Sequence, residues 1–263
     1  MSERLREKRC LVVGGTTGLG LAAARRFLEE GAVVAIAGRS PEKGAAAVAE
    51  LSPGGDVRYF VGDASREDSV ESLVEEAWSA FGGMDVLYHV AGMSGRRYGD
   101  GALHECTAEG WDITLHANLK SVFLTNRALI RRWLPESRPG AILNMASVLG
   151  ISPSPHFFDT AAYAAAKGGV IAMSRQAAAR YAAQGIRVNV IAPSLIDTPM
   201  STRAVNDEAI LDFLRTKQPL TQGPGRAGDC AEAAVFLCSD EARFITGVVL
   251  PVDGGWCVSE GQY

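Results

Sequence analysis

The stretch RCLVVGGTTGLGLAAARRFLEEG, residues 9–31, passes from one kind of order to another. Residues 9–13 form a short apolar run ending in two valines, which suits a buried strand. From Gly20 the apolar residues recur at helical spacing until Gly31 closes the segment. Between the two lie Gly14, Gly18 and Gly20, spaced G-x-x-x-G-x-G. Glycines let the chain turn sharply and let its backbone approach a pyrophosphate. A helix starting near Gly18 offers unpaired N–H groups and a positive dipole end to such an anion. Thr16 and Thr17 add hydroxyls, and Leu19 lies in the same turn. The alternative is a plain glycine-rich turn between strand and helix.

The alternation continues along the chain. Strands are expected at 9–13, 32–38, 57–63, 84–92, 140–147, 186–194 and 247–255. Helices are expected at 20–31, 40–51, 65–82, roughly 107–133, 160–185 and 229–240. Ser40 and Pro41 read as cap and first residue of one helix, and Ser65 with Asp68 as a capping box on the next. Short apolar strands separated by helices predict an α/β fold: a doubly wound, Rossmann-like parallel sheet of about seven strands, with helices on both faces in a three-layer sandwich. Residues 1–263 read as a single domain, with no linker or low-complexity tract. The irregular stretches 92–106, 149–159 and 198–227 stand out, two of them directly after strands, where such sheets bind ligands.

The bulk numbers exclude several classes. Apolar residues are 47% and charged residues 21% of 263, and the net charge is −4. Nucleic acid and anionic membranes call for a basic footprint, so neither is an expected partner. The five cysteines are scattered without a C-x-x-C, and the four histidines lack ligand spacing, so no disulfide framework and no metal are expected. The N-terminus has no long apolar stretch of a signal peptide, and no charge-free apolar run reaches membrane-span length. A soluble, cytoplasmic protein is the expectation.

TAAYAAAKGGV, residues 160–170, sets Tyr163 and Lys167 one helical turn apart in an otherwise bare segment. A free tyrosine ionises near pKa ~10, too high for efficient proton transfer at neutral pH. A neighbouring cation is expected to lower that value. A chance pair on a surface helix is the bland reading of the same spacing.

The glycine spacing followed by Y-x-x-x-K resembles the short-chain dehydrogenase/reductase superfamily, in its simple single-domain oxidoreductase branch. Further motifs share the likeness: HANLKSVF around Asn118, LNMASVLG around Ser147, APSLIDTPM from Ala192 to Met200, and FITGVVLPVDGG near the C-terminus. The likeness covers essentially the whole chain. It implies an NAD(P)-dependent enzyme that moves hydride between a nicotinamide cofactor and a carbonyl/alcohol pair. Tyr163 would be general acid or base, and Lys167 would lower its pKa and bond the nicotinamide ribose. Ser147 would hold the carbonyl oxygen, and Asn118 a water that links Lys167 to solvent. Gly14, Thr16, Thr17, Gly18, Leu19 and Gly20 would carry the pyrophosphate. Asp63 and Ala64 would meet the adenine, and Val90, Ala91 and Gly92 the adenosine ribose. Pro193, Ile196 and Thr198 would line the nicotinamide. Gly38 stands where an acid would select NAD(H), and Arg39 follows it, so NADP(H) is preferred, with NAD(H) possible.

The sequence departs from the pattern at Val13, at His89–Gly92 (HVAG for N-N-A-G), at Ser194, and in longer loops before Asn118 and before Tyr163. The loops leave the substrate open. His156, Phe157 and Phe158 suit an apolar pocket or, equally, a loop or subunit contact. Arg96 and Arg97 suit an acidic group, although a solvated loop is favoured; Trp111 is expected in the core. Residues 200–220 suggest an amphipathic helix over the site. Alanine-rich faces and the resemblance together point to a homotetramer, with a homodimer second. Two other functions stay open: a non-catalytic NAD(P)-binding regulator on the same fold, and a sugar or polyol dehydrogenase.

Overall fold

Seven short runs whose residues alternate between two apolar environments form one sheet in the computed structural model, which describes residues 3–154 and 156–261. The strands are β1 (Arg9–Val13), β2 (Val33–Gly38), β3 (Val57–Val61), β4 (Val86–His89), β5 (Gly140–Met145), β6 (Ile186–Pro193) and β7 (Val249–Val252). They pair in the order β3-β2-β1-β4-β5-β6-β7, every pairing parallel. The helices are α1 (Gly18–Glu29), α2 (Pro41–Leu51), α3 (Glu67–Phe81), α4 (Ala108–Leu115), α5 (Ser121–Trp133), α6 (Ala161–Tyr181), α7 (Thr202–Val205), α8 (Glu208–Lys217) and α9 (Ala227–Cys238).

The period of two divides the core. Val12, Ile36, Tyr88, Leu143 and Ile191 face Phe27 of α1 and Val235 of α9. Their neighbours Leu11, Ala35, Leu87, Ile142 and Val188 face Val74 of α3 and Leu129 and Trp133 of α5. Both faces are covered, as a parallel sheet requires. Burying a side chain such as Phe27 or Leu87 contributes roughly 1.5–3 kcal/mol. A buried polar link joins the layers: Asn126 and Asn144 exchange amide hydrogen bonds of 2.9 and 2.8 Å, and Asn144 Nδ2 donates to Ser174 Oγ at 2.9 Å. This fixes α5 and α6 against β5 by direction as well as by area.

Ser40 caps α2 by accepting the Lys43 N–H, with Pro41 at the first position, as expected. Three expectations need correction. The Ser65/Asp68 capping box does not form. Asp63 draws the Ser65 N–H and hydroxyl into a local turn, at 3.0 and 2.7 Å, and α3 starts only after Arg66. The helix expected over 107–133 is divided by a π-helical turn, His116–Lys120. The helix expected over 200–220 breaks into α7 and α8, because Asp207 takes an extended conformation and caps α8 through the N–H groups of Ala209 and Ile210.

Candidate active site

The first strand-to-helix turn lies where the strand order reverses, between β1 and β4, and it opens into a cavity of ≈ 650 Å³. Gly14 has φ +87°, and a Cβ there would lie 2.7 Å from the Ala91 nitrogen. A Cβ on Gly20 would lie 2.1 Å from the Gly14 carbonyl oxygen. Gly20 thus packs beneath the turn and does not line the cavity, whereas Gly14, Thr16, Thr17, Gly18 and Leu19 do. Thr17, the N-cap of α1, makes no side-chain cap hydrogen bond, so the first-turn N–H groups stay open to an anion.

The far rim is Arg39, Ser40, Lys43, Asp63 and Ala64. Arg39 is exposed and makes no ion pair among the described residues. Burial works to raise the Asp63 pKa, but hydrogen bonds from Ser65, with Arg39 and Arg66 nearby, hold it below the usual value. The near wall is Val90, Ala91 and Gly92, with Thr198 above.

A second cavity, ≈ 220 Å³, shares Leu19, Val90, Gly92 and Thr198 with the first. Ser147, Tyr163, Lys167, Asn118, Pro193 and Ile196 all line it. Four separate elements bring them there: the end of β5, helix α6, the π-helical turn and the end of β6. The ligand residues expected from sequence, Gly20 excepted, therefore fall around two joined cavities.

Lys167 Nζ donates to the Met145 carbonyl at 2.9 Å and sits 5.5 Å from the Tyr163 ring centroid. The expected lowering of the Tyr163 pKa is not met in this state. Burial pushes the phenol up to about 12, and a hydrogen bond with Ser147 acts in the opposite sense. Burial also pushes the Lys167 ammonium down, to about 8. Lys167 is buried and Tyr163 half-buried at the cavity wall, and loss of water disfavours the charged form of each.

Ser147 is buried, with its hydroxyl 3.2 Å from the Leu149 N–H that it accepts. Asn118 owes its position to the π-helical turn, which offsets it from a regular helix. Its Oδ1 accepts the Met93 N–H at 3.0 Å, and its Nδ2 donates to the carbonyls of Met93 and Thr114 at 3.0 and 2.9 Å. The side chain thus anchors the loop after β4.

His89 holds the same loop from below. Its Nδ1 lies 2.8 Å from Thr125 Oγ1, and its Nε2 lies 3.2 Å from the Ala91 carbonyl oxygen. A carbonyl only accepts, so Nε2 carries the proton. Burial, then the Lys167 charge, pushes this histidine down to about 3, and it stays neutral.

Two site residues were missed in the sequence. Asp100 is buried, and its carboxylate accepts the N–H groups of Ala162 and Tyr163 at the start of α6. No local pattern marks it, since it caps a helix about sixty residues away. Arg203 lines the smaller cavity beside Arg96. Arg96 and Arg97 are both exposed, as a solvated loop implies; Arg96 also borders the cavity, and Arg97 lies over the Tyr98 ring. Of the three pocket candidates, Phe158 lines the cavity; His156 and Phe157 are exposed, with Phe157 against Phe213. Trp111 is only half-buried and lies outside the core clusters. Among the described residues no group of three His, Cys, Asp or Glu could hold a metal, and no helix is long and apolar enough to cross a membrane.

Known proteins resemble this chain along nearly its whole length. Residues 13–257 match the family described as enoyl-(acyl carrier protein) reductase. The chain is 38% identical to the 2,5-dichloro-2,5-cyclohexadiene-1,4-diol dehydrogenase LinX of Sphingobium indicum, covering 98% of this chain and 99% of that one. It is 37% identical to a glucose 1-dehydrogenase of Gluconobacter oxydans, over 96% and 93% of the two chains. A solved short-chain type dehydrogenase/reductase from Mycobacterium ulcerans superposes with a TM-score of 0.89 at 29% identity, over 97% and 91%.

Proposed function

The chain belongs to the short-chain dehydrogenase/reductase family of alcohol- and carbonyl-acting oxidoreductases, and from that premise we propose an NADP(H)-dependent enzyme with Tyr163 as its proton donor and acceptor. The observation that carries this reading is the meeting of Ser147, Tyr163 and Lys167 at a cavity continuous with the glycine turn.

The residues fit a dinucleotide. Open N–H groups at α1 suit the pyrophosphate, and Gly14 packs so closely on the Ala91 backbone that any side chain there would force the turn out of place. Arg39, Ser40 and Lys43 converge on the rim where a 2′-phosphate would sit, and nothing acidic occupies position 38. A bound nicotinamide would supply or accept the hydride. In the direction of reduction, Ser147 bonds the carbonyl oxygen and Tyr163 gives it a proton. In the direction of oxidation, the same phenol takes the proton back. Lys167, held by Met145, stabilises the phenolate formed in reduction. Asn118 acts as an anchor for the loop that supports this arrangement, and its side-chain contacts are all to backbone.

A cavity of roughly 150 Å³ suffices for benzene. The ≈ 220 Å³ here is shared with residues assigned to the nicotinamide, so the reacting part of the substrate is compact. A ring alcohol matches both LinX, named for a cyclic diol, and the glucose dehydrogenase. The latter likeness favours a sugar or polyol as the second reading.

We also propose one domain serving both cofactor and substrate, a cytoplasmic setting, and a homotetramer. For the tetramer the support is α5, which presents Phe123 at 42% exposure beside the alanine-rich α6. A monomeric mass in solution would refute it.

The test of activity is a panel of carbonyls and alcohols followed at the nicotinamide absorbance, with NADPH and NADH, and with Tyr163→Phe as control. Cofactor binding without turnover across the panel would favour a non-catalytic regulator.

A further inference from the structure

The smaller cavity is bordered by cations and, among the described residues, by no Asp or Glu. Arg96 comes from the loop after β4, and Arg203 from α7 after β6. Both reach one atom. Arg96 Nη2 donates to the Phe157 carbonyl at 2.9 Å, and Arg203 Nη2 donates to the same oxygen at 3.3 Å. Both residues are exposed at the cavity rim, and the carbonyl oxygen gives each guanidinium a protein partner without a counter-charge. Neither arginine forms an ion pair among the described residues.

The nearby acids are otherwise placed. Asp100 accepts two N–H groups of α6, and Asp159 is exposed and makes no ion pair. Partial burial and then the Arg203 charge lower the Arg96 pKa, with Asp100 and Asp159 acting the other way. Phe157, whose carbonyl gathers the pair, has φ 62°, a left-handed conformation uncommon for a phenylalanine. Cofactor phosphates do not account for these charges, since Arg96 and Arg203 line the smaller cavity and not the larger one.

We propose that Arg96 and Arg203 form a subsite for the carboxylate of an acidic substrate, a hydroxy acid or oxo acid whose reacting carbon lies at Ser147 and Tyr163. This rests on the oxidoreductase reading for where that carbon sits. A guanidinium matches a carboxylate with paired donors, and two from different loops define both its place and its orientation. Val148, Leu149, Phe158 and Trp256 supply an apolar wall for the body of such a molecule.

The experiment is calorimetric titration of the cofactor-saturated full chain with cyclohexanecarboxylate and with its neutral analogue, cyclohexanecarboxamide. The acid is expected to bind about tenfold tighter than the amide, the size of a charge-assisted contact. Its affinity should fall with added salt while that of the amide does not. In Arg96→Met/Arg203→Met the preference should collapse toward parity. Equal binding of the two probes, binding of neither, or an unchanged preference in the double variant would overturn the subsite. Equal losses for both probes would make the arginines simple ties between loops. If the double variant does not fold, the salt dependence of the wild-type protein decides. Hydride transfer is not the readout. Acid preference with no turnover of any member of the carbonyl and alcohol panel would sink the oxidoreductase reading alone, and panel turnover without acid preference would sink the subsite alone.

Discussion

Asp100 holds Tyr163 by its backbone: Oδ2 accepts the Tyr163 N–H at 3.0 Å, while Oδ1 accepts that of Ala162 at 2.9 Å. Thr160, the N-cap of α6, makes no side-chain cap bond. The carboxylate from the loop after β4 therefore does the work of a local cap and meets the positive end of the helix. Asp100→Ala should cost about 1–2 kcal/mol of stability, the usual worth of a cap. Because the phenol moves with its helix, kcat should fall more than KM rises. A thermal melt and steady-state kinetics check both, and an unchanged kcat in a destabilised variant would confine Asp100 to a structural role.

The phenol itself offers a direct measurement. With its pKa up at about 12, Tyr163 in the cofactor-free protein stays protonated wherever reduction needs its proton. The tyrosinate difference spectrum between wild type and Tyr163→Phe should therefore show no ionisation of residue 163 below about pH 10. Ionisation near neutrality would restore the view that Lys167 dominates. The same variant should lose turnover by about 10²–10⁴-fold, the range for a lost general acid, while still binding cofactor.

For the reaction, the two pKa values set opposite trends. Reduction draws on a protonated phenol and a charged Lys167, and Lys167 is pushed down to about 8. Its rate should be level on the acid side of that value and decline above it. Oxidation draws on the phenolate and should rise with pH through the same region. A rate of reduction that climbs above pH 8 would contradict the assignment.

Cofactor choice rests on the exposed rim. Arg39→Ala should lower kcat/KM with NADPH by about tenfold and leave NADH nearly unaffected, as expected for loss of one charge-assisted contact. A wild-type preference for NADH would remove the basis for the assignment to Arg39.

In the core, Tyr88 is fully buried and its hydroxyl has no hydrogen-bond partner among the described residues. Its ring packs on Phe27 with centroids 6.1 Å apart. Tyr88→Phe keeps the ring and removes the stranded polar atom, so it should stabilise the protein by about 1 kcal/mol. A lower melting temperature would show that the hydroxyl is satisfied.

Most of the sheet was legible because buried parallel strands are short apolar runs and the helices between them carry a period of their own. Ser40 and Pro41 were read correctly for the same reason, since a cap acts on residues beside it. Where a local signal failed, a local competitor had won: Asp63 took the Ser65 hydroxyl, and Asp207 split the helix expected over 200–220. The π-helical turn at Asn118 left no mark in the apolar pattern, because one extra residue in a turn changes the period too little to read.

What the sequence determined by itself was the order of strands and helices, the glycine turn, and the identities of Ser147, Tyr163, Lys167 and Asn118. Their candidacy came from motif order and from the family resemblance. What only the tertiary structure decided was their surroundings. It brought Asp100 to a helix it does not precede, set Arg96 and Arg203 on one carbonyl, and raised the phenol that its neighbour was expected to lower. Hydrogen bonds across long sequence separations and the removal of water are properties of the packed chain. No spacing along the sequence encodes how far a charge is taken out of solvent, and burial is what raises the Tyr163 phenol and lowers the Lys167 ammonium.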